Sequence, residues 1–177
     1  DALIDAFQPS DDWGPGQAIA ICRNMLPADT LATADSGAHR ILLSQMWQCE
    51  FPRALTQSSA LCTMGCAVPL EMGAQIVEPD RTVVSFSGDA GFLMVAGEMS
   101  TAAEQGLKTI FVVFVDASLA LIELKQRQRQ MKNRGVDFGH VDFAAIAGAF
   151  GGQGFSARSK PDLEQALTAA MASDTFS

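Results

Sequence analysis

The chain has 177 residues, which is enough for one domain with a sizeable core, and its content of 48% hydrophobic and 18% charged residues is typical of a folded globular protein. Its formal net charge of −8 argues against a nucleic-acid partner, because binding to phosphates needs an excess of Lys and Arg. There is neither an apolar run of about 18 residues nor a basic start followed by an apolar stretch, so we expect no membrane span and no signal peptide. The four cysteines fit neither a disulfide framework nor a zinc site, so we expect reduced thiols and a cytoplasmic protein.

Helical and strand patterns alternate along the chain. Runs of apolar and β-branched residues predict buried strands, and apolar residues at helical spacing predict helices between them. In chain order, the predicted elements are a helix over 17–25, a strand over 30–34, a helix over 39–46, a strand over 53–56, a helix over 64–76, a strand over 82–86, a helix over 92–105, a strand over 109–115, a helix over 142–149, an edge strand over 154–158 and a helix over 159–172. This alternation predicts an α/β fold with three αβα layers, in which helices cover both faces of a mostly parallel sheet.

Two features concern the ends of the chain. Residues 1–12 are polar and acidic, and we interpret them as a linker from a missing upstream region, with the domain itself over 13–177. A βαβ pattern calls for a further strand after the last predicted helix. We therefore expect the chain to be a fragment of a longer protein, with the last strand of the domain missing.

The most informative stretch runs from 82 to 121. Its first strand ends in the small residues Ser87–Gly91, and a turn of small residues lets backbone N–H groups approach an anion. Asp89 lies in this turn, and Asp116 follows the next strand along the chain. Because the carboxyl ends of parallel strands meet at the edge where α/β sheets bind ligands, the two carboxylates are predicted to hold a diphosphate through Mg²⁺ or Ca²⁺. The alternative for Asp89 alone is a helix cap.

The pattern of Gly88-Asp89, two small residues and then Asp116 at the end of a strand resembles the metal and diphosphate motif of thiamine-diphosphate (ThDP) enzymes. Residues 56–65 resemble the segment that holds the aminopyrimidine in acetolactate-synthase-like members, residues 35–39 resemble their first diphosphate-side turn, and residues 141–151 resemble the helix after their active-site loop. The resemblance covers nearly the whole chain in the right order and implies the ThDP-binding fold. A nucleotide-binding Rossmann domain is the weaker interpretation, because no Gly-x-Gly-x-x-Gly opens a helix.

The resemblance implies a set of site residues. The cofactor-binding residues would be Ser36, Gly37, Ala38, His39, Cys62, Met64, Gly88, Asp89, Ala90, Gly91, Asp116, Ser118, Leu119 and Leu121. The ligands of Mg²⁺ would be Asp89, Asp116 and, through its main-chain carbonyl, Ser118. Met64 would lie under the bend between the two rings of ThDP, and the carbonyl of Cys62 would accept a hydrogen bond from the 4′-amino group of the cofactor. Without the resemblance, Met64 is a flexible core filler and His39 a residue at a helix start.

Three positions depart from the family pattern. Members usually carry Asn where this chain has Asp116, Gln at the position of Ala38 and Gly at the position of Ala120. Asp116 keeps the ligand geometry of Asn but adds a negative charge, which should strengthen the attraction for the metal and weaken that for the diphosphate. We therefore also consider a non-catalytic module that kept the fold and lost the cofactor.

The resemblance implies an enzyme that decarboxylates a small 2-oxo acid or joins it to a second carbonyl compound, a lyase or transferase in which this chain alone is inactive. No catalytic residue is assigned within the chain, because the activating glutamate is expected in a missing pyrimidine-binding domain of the same or another subunit. That arrangement implies a homodimer or homotetramer. The alternative is a separate small subunit of a two-chain ThDP decarboxylase, of the sulfopyruvate or phosphonopyruvate type.

The segment 122–134 is rich in Gln, Lys and Arg. It is predicted either as a solvated helix or, by the resemblance, as a mobile lid near the substrate, with Gly135 and Gly139 as hinges. In the second interpretation, Lys125 or Arg127 would meet a carboxylate of the substrate.

Overall fold

Four parallel strands lie at the centre of the structure, a computed structural model that describes residues 12–177. They are β1 Leu31–Ala34, β2 Leu55–Gln57, β3 Val83–Gly88 and β4 Ile110–Phe114. Their order in the sheet is β2-β1-β3-β4, and in the register Ala32 of β1 lies between Leu55 and Val84. The predicted linker over 1–12 lies outside the described residues except for Asp12.

Helices connect the strands. Within residues 12–177 they are α1 Pro15–Met25, α2 Ala38–Met46, α3 Ala67–Val77, α4 Asp89–Val95, α5 Met99–Glu104, α6 Ala120–Gln128, α7 Phe143–Ala149 and α8 Lys160–Met171. A 3₁₀ turn, Ala96–Glu98, separates α4 from α5. None of the helices in this part of the chain combines the length and the apolar character that crossing a membrane requires.

Apolar side chains cover both faces of the sheet. On one face, buried side chains of α1, α2 and α8 pack against Phe86 and Ile110. On the other face, those of α3, α4 and α5 pack against Phe111. Ile110 and Phe111 are neighbours on β4, so the two side chains point to opposite faces, as the pleat of a strand requires. This arrangement confirms the predicted three-layer α/β fold with a parallel sheet.

The direction of the chain across the sheet reverses between β1 and β3. From β1 the chain moves outward to β2, then returns across β1 to β3 and continues to β4. In open α/β sheets such a reversal leaves a crevice outside the carboxyl ends of the strands, and ligands bind there. The turns after β1 and β3 therefore border the expected site, and the turn after β4 lies beside them.

Three predicted helices differ from the structure in their extent. The helix predicted over 92–105 begins at Asp89, directly after β3, and is divided by the 3₁₀ turn, which contains the poor helix former Gly97. The helix predicted over 64–76 begins only at Ala67, because Gly65 has a φ of +78° and cannot belong to a right-handed helix. The segment 122–134 is helical only as far as Gln128.

The predicted edge strand over 154–158 is wrong, since these residues form no strand. Gly154 lies so close to α7 that a Cβ there would overlap the carbonyl oxygen of Ala144. The N–H of Arg158 donates to the side chain of Asp162 in α8, at 2.9 Å. The place beside β4 is taken instead by the main chain of Ser177, which donates to Thr109 and accepts from Phe111. Contacts with α7 and α8 therefore hold this segment away from the sheet edge.

Candidate functional site

A cavity of about 420 Å³ opens at the carboxyl ends of β1, β3 and β4. Every residue that the sequence predicts at the cofactor lines it, namely Ser36, Gly37, Ala38, His39, Cys62, Met64, Gly88, Asp89, Ala90, Gly91, Asp116, Ser118, Leu119 and Leu121. These residues come from four separate parts of the chain. The order of the strands brings them together, because it places the turns after β1, β3 and β4 side by side.

Asp89 links the ends of β3 and β4. It is the first residue of α4 and is 2% exposed. Its Oδ1 accepts from the N–H of Ala90 at 2.8 Å, while its Oδ2 accepts from the N–H groups of Asp116 at 3.1 Å and Ala117 at 2.7 Å. The carboxylate thus accepts hydrogen bonds from the turn after β4, and these hold Asp89 and Asp116 at neighbouring positions at one edge of the sheet.

Asp116 is more exposed than Asp89 and belongs to a tight turn. Its Oδ1 accepts from the N–H of Ser118 at 3.1 Å, and Ala117 between them has a left-handed φ of +57°, an uncommon conformation for a residue with a Cβ. Partial burial is the main cause that raises the pKa of Asp116; the Ser118 N–H opposes it and the negative charge of Asp89 adds to it. Two carboxylates that repel each other at a cavity wall make a place where a cation would be stabilising.

The oxygen donors at this edge are of the kind that Mg²⁺ prefers. The carbonyl of Ser118 accepts no hydrogen bond from residues 12–177, so it is available to a cation. The described part of the chain contains no cluster of three or more His, Cys, Asp or Glu side chains that could hold a metal. A cation here would therefore complete its coordination with water or with oxygens of a bound diphosphate. The residues fit Mg²⁺ shared with a diphosphate.

His39, in the first turn of α2, is buried beneath the turn after β1. Its ring stacks on Phe114 with 5.5 Å between centroids, and a Cβ at Gly37 would lie 2.7 Å from its Cε1, so any larger residue there would force the ring to shift. Burial is the main cause that lowers the pKa of His39, against a smaller raising effect of Asp35. The lowered pKa makes a neutral imidazole the favoured form near pH 7. Its buried Nε2 has no hydrogen-bond partner within residues 12–177.

The loop between β2 and α3 forms another wall of the cavity. It is largely exposed, and it carries the half-buried Met64 and the exposed Cys62, both of which line the cavity. Cys62 has a left-handed φ of +50°, a conformation that glycine adopts more easily than cysteine. Arg40 of α2 also lines the cavity and donates to the carbonyl of Ser58 in this loop at 3.3 Å.

The family of this chain is established by comparison with known proteins. Residues 35–177 match the family described as "Thiamine pyrophosphate enzyme, C-terminal TPP binding domain", where thiamine pyrophosphate is another name for ThDP. The chain belongs to this family.

Two acetolactate synthases are among the relatives of this ThDP-family domain. The catabolic acetolactate synthase of Raoultella terrigena is 33% identical over 157 residues, which cover 89% of the chain and 28% of that protein. The acetolactate synthase of Bacillus subtilis (strain 168) is 31% identical over 168 residues, which cover 95% of the chain and 30% of that protein. The chain spans less than a third of the length of these curated relatives. The resemblance to acetolactate-synthase-like ThDP domains is therefore confirmed, while the individual ligand assignments stay predictions.

Hydrogen bonds connect the segment after α6 to that helix. Glu123 accepts from Asn133 at 2.7 Å and forms an ion pair with Arg127 at 3.3 Å. The side chain of Gln126 exchanges two hydrogen bonds with the main chain of Arg134, both at 3.1 Å. Arg127 is thus occupied, whereas Lys125 lines the cavity and forms no ion pair within residues 12–177. Of the two cations predicted for a substrate, the structure places only Lys125 at the cavity.

Several cavity-lining residues were not predicted as site residues. They are Pro15, Arg40, Leu42, Phe114, Ala120 and Ile122. Arg40, Ala120 and Ile122 adjoin predicted residues in the sequence, and Leu42 lies three residues after His39, on the same side of α2. Pro15 carries no such signal, because it reaches the cavity only through the packing of α1 against α2.

Proposed function

We propose that this domain binds ThDP through Mg²⁺, as the diphosphate-binding part of an acetolactate-synthase-like enzyme that decarboxylates a 2-oxo acid or joins it to a second carbonyl compound. The observation that carries the proposal is the cavity at the strand reversal, where Asp89 and Asp116 from neighbouring strand ends meet the small-residue turn after β1. The names of the relatives, acetolactate synthases, support the reaction class.

The side chains would divide the work between metal and diphosphate. Asp89, Asp116 and the carbonyl of Ser118 would hold Mg²⁺, with Asp89 fixed by three backbone N–H groups before any metal arrives. A preorganised carboxylate of this kind avoids the cost of ordering the ligand during binding. The N-terminus of α2, which has no side-chain cap, and the imidazole of His39 would offer hydrogen bonds to the diphosphate.

Bound ThDP would supply the carbon nucleophile and electron sink that the decarboxylation of a 2-oxo acid requires. The residues of this chain would orient it and keep water away from it. Phe114, Leu119, Leu121 and Ile122 give the cavity its apolar wall. Lys125 lines the cavity and forms no ion pair within residues 12–177, so it would attract the carboxylate of the incoming 2-oxo acid, which the two acidic groups and the diphosphate would otherwise repel.

The partner of the domain would be a pyrimidine-binding domain of the same or another subunit, in a homodimer or homotetramer. Met64 and Cys62 would meet the ring half of the cofactor from this side, and the partner domain would provide the activating glutamate. The four cysteines are unpaired, which supports a cytoplasmic location as part of the proposal.

The proposal is tested on the full-length protein with ThDP, Mg²⁺ and a panel of 2-oxo acids. We expect CO₂ release from at least one of them and a heat of ThDP binding in calorimetry. ThDP binding without CO₂ release from any 2-oxo acid would contradict the proposed reaction but keep the proposed ligand. Absence of both would favour the non-catalytic module.

A further inference from the structure

Asp35 follows β1 directly and is fully buried behind the wall of the cavity. A buried carboxylate is costly unless it is hydrogen-bonded or paired with a cation. The ion pairs formed within residues 12–177 do not include Asp35. Its position therefore depends on the hydrogen bonds that it accepts.

Those hydrogen bonds come from the residues just before α3. Oδ2 accepts from the N–H of Gly65 at 2.9 Å, and Oδ1 accepts from the N–H of Cys66 at 3.0 Å and from its thiol at 3.5 Å. Cys66 is the N-cap residue of α3 and its own side chain provides no cap. The carboxylate of Asp35 thus caps the start of α3 although it belongs to another part of the chain. The helix dipole favours a negative charge at this end of the helix.

A glycine of α4 packs directly against the same carboxylate. A Cβ at Gly91, in α4, would overlap Oδ2 of Asp35. The end of β1, the start of α3 and the first turn of α4 therefore meet at one buried group. Met64 immediately precedes Gly65, so the same hydrogen bonds determine where Met64 lies on the cavity wall.

The loop that precedes Met64 has few other attachments. Within it, Thr63 donates to the hydroxyl of Ser58 at 3.3 Å and the thiol of Cys62 donates to the carbonyl of Ser59 at 3.7 Å. From outside it, Arg40 donates to the carbonyl of Ser58 at 3.3 Å, six residues before Met64. From these contacts we infer that Asp35 is a positioning residue for the cofactor, which fixes Met64 against the ring half of ThDP by holding the backbone of Gly65 and Cys66. The inference rests on the proposed function.

This role makes a prediction that separates the two halves of the cofactor. Asp35 holds the loop that would meet the rings, whereas Asp89 and Asp116 would meet the metal and the diphosphate. In an Asp35→Asn variant, the new NH₂ group would face one of the two N–H donors, and the loop would have to move. Binding of ThDP should then weaken, while binding of inorganic pyrophosphate, which has no rings, should not.

The experiment is calorimetric titration of the full-length protein with ThDP and with inorganic pyrophosphate, both at saturating Mg²⁺. For Asp35→Asn we expect ThDP affinity to fall at least tenfold and pyrophosphate affinity to stay within twofold of the wild type. Met64→Ala should show the same selective loss, and the double variant should lose no more than the larger single loss, because both changes remove one interaction.

Thr33→Val is the matched control. The hydroxyl of Thr33, on the same strand, donates to the carbonyl of Ala67 in α3 at 2.8 Å, so its loss should lower stability without changing the ratio of the two affinities. If Asp35→Asn does not fold, Cys66→Pro, which removes the N–H donor to Oδ1 at a residue whose φ of −81° proline can adopt, should reproduce the selective loss. Equal losses for both ligands, or no loss, would overturn the inference. A wild type that binds neither ligand would overturn the proposed function itself, and the inference with it.

Discussion

The buried glutamate Glu71 gives a quantitative prediction of how the free energy of unfolding of this domain depends on pH. It lies in α3, is fully buried, and its Oε1 accepts from the hydroxyl of Thr109, while its Oε2 has no partner within residues 12–177. Burial is the main cause that raises the pKa of Glu71 well above its ordinary value, against the hydrogen bond from Thr109, which lowers it. The carboxyl group is therefore held in its neutral form above the pH at which an exposed glutamate ionises.

The sign and size of the effect on stability follow from this difference. A group whose pKa is higher in the folded state contributes stability that is fully present below its unfolded pKa, about 4.3 for Glu, and that is lost as the pH rises toward the folded pKa. Between these two pKa values, ionisation in the unfolded chain alone favours unfolding by about 1.4 kcal/mol per pH unit. Glu71→Gln keeps the shape and an acceptor for Thr109 but cannot ionise.

The assay is urea denaturation of both proteins at a series of pH values between 4 and 8. The free energy of unfolding of Glu71→Gln minus that of the wild type should rise by about 1.4 kcal/mol per pH unit above pH ~4.5, and level off at the folded pKa of Glu71. Glu164→Gln, at an exposed position of α8, is the control and should give a flat difference. A flat difference for Glu71→Gln as well would refute the reasoning.

Three further predictions concern the cavity. Asp116→Asn should weaken Mg²⁺-dependent ThDP binding near pH 7 and make that binding less sensitive to acid, because the raised pKa of Asp116 lets a proton compete with the metal as the pH falls. Calorimetry at pH 7 and pH 5 checks both effects, and an acid sensitivity equal to that of the wild type would contradict them. Lys125→Gln should raise KM for the 2-oxo acid several-fold while the Kd of ThDP stays unchanged. Arg127 is already paired with Glu123, so Arg127→Gln should change neither constant. An unchanged KM for Lys125→Gln would exclude the carboxylate contact. Gly37→Ala should lower the free energy of unfolding by about 1–3 kcal/mol in urea, because the new Cβ would lie 2.7 Å from the His39 ring, and an unaltered midpoint would show that the ring moves freely.

The features that the sequence predicts correctly are those encoded by neighbouring residues. Strands such as 82–86 and 109–115 show as short apolar runs, and the small residues after the first of them show as a turn. Topology then places Asp89 and Asp116 together, because parallel strands joined by a helix present their carboxyl ends at one edge. The other predicted residues of the cavity come from the resemblance to ThDP enzymes, which assigns them motif by motif.

The features that the sequence does not reveal depend on long-range packing. From the sequence, Asp35 is interpreted only as a turn residue. Its role is hidden because its hydrogen-bond partners, Gly65 and Cys66, lie about 30 residues further along the chain. Glu71 belongs to a residue type that is rarely buried, and only the fold shows that this one is. The edge strand predicted over 154–158 fails for the same reason, because packing against α7 overrides its local propensity.

The most direct test of the account is the Mg²⁺ dependence of ThDP binding to the full-length protein. Titration with ThDP, in Mg²⁺ and again in EDTA, is done for the wild type and for Asp89→Asn. We predict that Mg²⁺ strengthens ThDP binding to the wild type at least tenfold, about 1.4 kcal/mol, and that Asp89→Asn loses most of this gain. Equal affinity with and without Mg²⁺, or a gain that Asp89→Asn leaves intact, would contradict a cation held between the ends of β3 and β4.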